Sequence, residues 1–107
     1  MTVKEFDVYQ EQAFSYAIKE ARNVNYMLLG MSGEVGELHS WYAKVIRDGY
    51  GSRDFDDVKK ELGDVLWFVA GLCSMYGLKL SDIAQKNIDK LESRKQRNVI
   101  TGDGDNR

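Results

Sequence analysis

The chain has 107 residues, no proline and a single cysteine, and its 17 acidic and 15 basic side chains leave a formal charge of −2. That length fits one domain, residues 1–107, around a core of modest size, with a polar C-terminal tail over 98–107. The charge supplies no overall basic field, which argues against a polynucleotide partner while leaving room for a small anion at a local site. Cys73 has no partner for an intramolecular disulfide, and no signal-peptide pattern or membrane-spanning run is present. These features point to a cytoplasmic protein without membrane contact.

A strong 3.6-residue periodicity with short glycine-marked turns predicts helices throughout. The first helix is expected to begin after Thr2, which has capping-box spacing to Glu5, and to run to about Asn23 with Phe6, Tyr9, Ala13, Ala17 and Ala21 as its apolar stripe. A second is expected from about Asn25 to Asp48, closed by Gly49. The third runs from Asp54 as N-cap to Tyr76, where Gly77 ends it. The fourth starts at Ser81, carries Ile83, Ile88 and Leu91, and ends near Gln96; from Asn98 a flexible tail follows. The fold class is therefore all-α, a four-helix bundle-type subunit. Its wide apolar faces suit assembly into a dimer or a dimer of dimers.

Two segments carry the chemistry: Gly33-Glu34-Val35-Gly36-Glu37-Leu38 and Lys60-Glu61-Leu62-Gly63-Asp64-Val65-Leu66-Trp67. Each places two carboxylates three residues apart within an apolar helical pattern. At about 100° per residue, Met27, Met31, Glu34, Leu38, Trp41 and Val45 share one arc of the second helix, with Glu37 at its edge. On the third helix Val58, Leu62, Val65, Val69 and Leu72 make the core arc, Glu61 borders it, and Asp64 lies roughly 60° farther round. If the two helices pack antiparallel, four carboxylates converge on one cleft. Carboxylates set among apolar side chains cost several kcal/mol unless paired, so a cation is implied. All-oxygen ligation favours Mg²⁺. The competing explanation is a solvated rim of ion pairs with Lys44, Lys59 or Lys60, worth little to stability.

Glycines at 30, 33, 36, 63 and 71 interrupt these helices, where each costs about 1 kcal/mol against alanine. Gly36 and Gly63 lie between the carboxylates of their pairs, on the side opposite the first acid. Close backbone approach of another helix is expected there, from this chain or from a second subunit. On the fourth helix Asn87, Lys90 and Arg94 share one face, which suits either a phosphate track or a solvated surface. Trp41, Trp67, Tyr42 and His39 each stack on a base or pack against neighbours; core packing is the expectation for both tryptophans, and Trp41, on the arc of Glu34, is the one placed to meet a base. His39 has no zinc-type partner pattern, and Cys73 lies in an apolar run that marks it as core.

At these residues the sequence resembles the MazG-like, all-α nucleoside triphosphate pyrophosphohydrolases. The family pattern E-x-x-E, spacer, E-x-x-D corresponds to Glu34, Glu37, Glu61 and Asp64, and Asn87-Ile88-Asp89-Lys90-Leu91-Glu92-Ser93-Arg94 is similar to the family's N-x-x-K-L-x-x-R helix. Tyr9-Gln10 with Ala13 matches the first-helix segment. The likeness extends from there through Arg94, and the tail from Gly102 to Arg107 shares it. One departure is Gly33, where many members have a further glutamate, so the general base stays open.

The resemblance implies Mg²⁺-dependent cleavage of (deoxy)nucleoside triphosphates between the α and β phosphates, with Mn²⁺ as a substitute, giving a nucleoside monophosphate and pyrophosphate. Glu34, Glu37, Glu61 and Asp64 are then the catalytic and metal-binding residues; Lys90, Asn87, Arg94 and Trp41 are the substrate contacts. The purposes it allows include nucleotide pool cleansing. The runner-up is a non-catalytic helical interaction module with a structural cation site. A di-iron bundle is disfavoured, since such sites use Glu-x-x-His motifs and His39 is the only histidine.

Overall fold

The computed structural model describes residues 5–107, so the capping box expected at Thr2 lies outside the described residues. Four α-helices follow one another, α1 (Glu5–Phe14), α2 (Val24–Asp48), α3 (Asp56–Met75) and α4 (Leu80–Gln96), with one 3-10 turn at Lys19–Ala21 and no strand among the described residues. The all-α expectation holds. Helices α2 and α3 form an antiparallel hairpin that makes the most extensive packing in the chain, α1 lies against α3, and α4 packs mainly on α1.

The helix expected to run unbroken to Asn23 ends at Phe14 instead. Ser15 turns its hydroxyl onto the Gln12 carbonyl at 2.5 Å, and Arg22 reaches back with Nε 3.0 Å from the Ala17 carbonyl and its guanidinium 4.6 Å from the centre of the Phe14 ring. Side chains thus take over carbonyls that a continuous helix would have satisfied. The stripe residues are still covered: Ala13, Ala17 and Ala21 are buried, the last two around Met27 with Phe14, Trp67, Phe68, Leu72 and Met75. A second cluster gathers Ala70, Cys73 and Leu80 with Phe6, Tyr9 and Val69. Burial among these raises the Cys73 thiol above its usual range, as a core cysteine requires.

Helix α2 begins one residue earlier than expected, with the Asn23 carboxamide accepting from the Tyr26 N–H at 2.7 Å. Gly49 closes it at φ +99°, and Gly77, at φ +68°, lets the Leu78 N–H return to the Cys73 carbonyl at 2.8 Å after α3. Helix α3 starts at Asp56 with Phe55, not the expected Asp54, in the N-cap position, and the carboxylate of Asp54, one residue earlier, accepts from the Asp56 N–H at 3.0 Å. The N-terminus of α4 is capped from α1: Gln10 Oε1 accepts from the Leu80 N–H at 2.7 Å, and Asp7 accepts from the N–H and hydroxyl of Ser81 at 3.0 and 2.6 Å. Four orphan donors open every helix, and here another helix satisfies two of them.

Close approach occurs at other glycines than Gly36 and Gly63, which have open space where a Cβ would stand. A side chain at Gly30 would run into the Phe68 ring, and one at Gly71 would lie 2.6 Å from Met27 Sδ. Periodicity also overstates the core. Leu62 is half exposed, as are Ile83, Ile88 and Leu91 of α4, because no element of the chain covers those faces. The arc from Met27 through Val45, by contrast, is buried or half-buried at every expected position.

The tail expected to be flexible folds back on α4. Asn98, at φ +59°, ends the helix by sending the Val99 N–H to the Arg94 carbonyl at 2.8 Å. Arg107 donates to the carbonyls of Val99 at 3.0 Å and Ile100 at 2.7 Å, and Arg97 donates to the Arg107 carbonyl at 2.7 Å. Arg97, just past the end of α4, and Arg107 give the polar segment its partners.

Candidate active site

Antiparallel packing of α2 on α3 brings Glu34, Glu61 and Asp64 together, with one carboxylate oxygen from each lying within 4.8 Å of the others. Glu34 and Glu61 are half-buried and Asp64 is exposed. Burial raises the Glu34 pKa above its ordinary value, and the charges of Asp64, Glu61 and Glu37 and a hydrogen-bonding contact with Glu61 push it the same way. No lysine or arginine among the described residues pairs with any of the four acids. Lys59 instead bridges to Asp56 at 3.2 Å, so the rim of ion pairs with Lys44, Lys59 or Lys60 does not form.

Glu61 Oε2 is buried and finds no hydrogen-bond partner among the described residues. An uncompensated carboxylate oxygen inside a group of three acids is what a hard divalent cation would satisfy, since such ions take oxygen ligands. The residues present therefore fit a divalent metal. Glu37 stands outside the close group of three; it lines a 230 Å³ cavity together with Ser40, Trp41, Lys44, Arg53, Asp57 and Glu61. The Trp41 indole packs edge-on against Phe55 at 6.2 Å, and its Nε1 is also buried without a partner. Trp67 is structural, donating from Nε1 to the Ala13 carbonyl at 2.9 Å.

Asn87, Lys90 and Arg94 are brought together, but away from the carboxylates. Asn87 and Lys90 line a 730 Å³ cavity with Ile83, Lys86, Asp89, Asp105 and Asn106, which shares no residue with the cavity beside Glu61. Lys90 Nζ lies 2.8 Å and Arg94 Nη2 3.0 Å from the Asp105 carboxylate. Those two cations hold the Asp105 carboxyl below the usual carboxylate range. Arg94 is buried, with Nε unpartnered.

Further side chains reach the site from outside the two acidic segments. Burial raises the Tyr9 phenol of α1 above its ordinary value, and the Asp64 charge pushes it the same way. On α2 the recurrence of Glu37, Ser40, Trp41 and Lys44 at three- and four-residue steps did mark one helix face, whereas Arg53 arrives from the α2–α3 loop and has no such signal.

The described residues thus form an all-α subunit in which carboxylates from two neighbouring helices converge beside an unsatisfied oxygen. The sequence model of the MazG nucleotide pyrophosphohydrolase domain matches residues 22–99, which covers α2, α3 and α4. The chain belongs to that family. It is also 40% identical over 111 aligned residues to the Gene 37 protein of Mycobacterium phage L5, covering 94% of this chain and 97% of the phage protein. No solved structure matches it. Among the described residues no helix is long and apolar enough to cross a membrane.

Proposed function

We propose that the protein hydrolyses (deoxy)nucleoside triphosphates at the α–β phosphate bond, releasing a nucleoside monophosphate and pyrophosphate. The observation that carries this reading is the convergence of Glu34, Glu61 and Asp64 around the unpartnered Glu61 Oε2 in a chain of the MazG family. These three residues hold Mg²⁺, or Mn²⁺ in its place. When bound, the cation supplies neutralisation of phosphate oxygens and acidification of water.

The protein's own groups do the remaining work. Glu37, exposed at the cavity edge beside Glu61, accepts the proton of the attacking water. Trp41 gives the nucleotide an aromatic wall. Asn87, Lys90 and Arg94 bind phosphate, with Lys90 and Arg94 exchanging the Asp105 carboxylate for phosphate oxygens.

These α4 cations serve a site completed by a second copy of the chain. The protein works as a homodimer or a dimer of dimers in the cytoplasm. Two observations support association. Leu28, Leu29 and Ile46 of α2 and Leu62 and Leu66 of α3 stay exposed on the hairpin that carries the acids. The radius of gyration is 16.6 Å, whereas a compact domain of about 100 residues has about 13 Å.

Calorimetric titration of EDTA-treated protein with Mg²⁺ and Mn²⁺, alone and with a non-hydrolysable triphosphate, tests the reading. Binding is expected, with a loss of at least tenfold in Glu61→Gln. Absence of binding by either ion would overturn the reading and leave a helical interaction module. Glu61→Ala is expected to abolish pyrophosphate release.

A further inference from the structure

We propose that the 230 Å³ cavity beside Glu61 is the subsite for the leaving pyrophosphate, and that Lys44 and Arg53 bind it; this rests on the α–β cleavage reading above. The cavity is smaller than the roughly 300 Å³ at which whole-ligand pockets begin, so it takes a fragment of a nucleotide rather than all of it. Five of its seven lining side chains are charged, the acids Glu37, Asp57 and Glu61 and the cations Lys44 and Arg53, and the two cations are the groups that can meet phosphate oxygens. Lys44 and Arg53 line this cavity together with two of the four acids, Glu37 and Glu61.

The donors there are available. Among the described residues Lys44 makes no ion pair, though its charge acts on Asp48, and the Trp41 N–H is buried without a partner, while Arg53 spends one nitrogen on Asp48 at 2.9 Å. Together with the Ser40 hydroxyl they face the side of the carboxylate group marked by Glu61 and Glu37. Glu37, Asp57 and Glu61 would repel a bare anion, so pyrophosphate enters only when a divalent cation offsets their charge. A tetravalent leaving group is thereby met by two side-chain cations.

The test is calorimetric titration of the full chain with inorganic pyrophosphate, in Mg²⁺ and in EDTA, for wild type, Lys44→Gln and Arg53→Gln. Mn²⁺ binding is followed by electron paramagnetic resonance in each variant as a check that the carboxylates are intact. Pyrophosphate is expected to bind only with the cation, at least tenfold more weakly in either variant, with Mn²⁺ affinity unchanged. Equal affinity in all three proteins, no binding by wild type in Mg²⁺, or undiminished binding in EDTA would overturn the subsite. Loss of nucleoside monophosphate affinity instead would overturn it in favour of a base pocket. If the variants lose pyrophosphate as expected but no triphosphate is cleaved to pyrophosphate, the cleavage reading fails and the subsite stands.

Discussion

The carboxylates of Glu34 on α2 and Glu61 on α3 lie within 4.8 Å of each other, half-buried, and among the described residues no cationic side chain pairs with either. The hairpin that is the most extensively packed part of the fold thus holds an electrostatic cost at its centre. That cost is the reason to expect the site to respond to both protons and cations.

Glu34 is the sensor. Its pKa in the folded chain is raised, by burial first and neighbouring acids next, so the folded state holds this proton more tightly than the unfolded state does. Its contribution to stability therefore falls as pH rises from the ordinary glutamate value through the raised one. Glu34→Gln removes the repulsion. In EDTA at neutral pH the variant is expected to melt above wild type, with the difference vanishing below the ordinary glutamate pKa. Saturating Mg²⁺ reverses the order, because wild type gains about 2.7 kcal/mol at a hundredfold excess over Kd and the variant, lacking a ligand, gains little. Thermal melts across pH, with and without Mg²⁺, check both signs.

Gln10 joins three helices: it accepts from the Leu80 N–H at 2.7 Å and donates to the Leu78 carbonyl at 2.9 Å and to Ser74 Oγ at 3.1 Å. Replacing it by alanine leaves a buried N–H and a carbonyl unsatisfied. A loss of about 1–3 kcal/mol in urea unfolding is expected for Gln10→Ala. The docking of α1 on α4 should loosen with it, seen as faster amide exchange at the start of α4.

The helical glycines divide into two kinds. Gly71→Ala would press a methyl to 2.6 Å from the sulfur of fully buried Met27, and a destabilisation of about 1–3 kcal/mol is expected from overpacking. Gly36→Ala meets open space in a helix interior and is expected to stabilise the subunit by about 1 kcal/mol. Denaturant unfolding of the two variants beside wild type reads both values. Sedimentation of Gly36→Ala would show whether a second copy packs there.

Much of this architecture is legible in the sequence because one physical rule, the 3.6-residue period, governs the arc from Met27 to Val45, and because Gly49 and Gly77 sit where a left-handed residue ends a helix. Carboxylates three apart on adjacent helices likewise reveal Glu34, Glu61 and Asp64. What escapes is long-range. Asp7 caps α4 across 74 residues, and Arg22 breaks the first helix by a side-chain reach that periodicity does not encode. Leu62 and Ile88 show the converse failure: their spacing marks an apolar face without saying whether this chain covers it. Lys44 and Arg53 come from a helix and a loop that only the folded hairpin brings to one cavity.

The central claim is cleavage at the α–β bond by the site built on Glu34, Glu61 and Asp64. It is tested most directly by phosphorus NMR of the products formed from a panel of ribo- and deoxynucleoside triphosphates with Mg²⁺. Equimolar nucleoside monophosphate and pyrophosphate from at least one substrate, absent in EDTA and with Glu61→Ala, is the expected result. Inorganic phosphate with nucleoside diphosphate, or no turnover of any substrate, would contradict it.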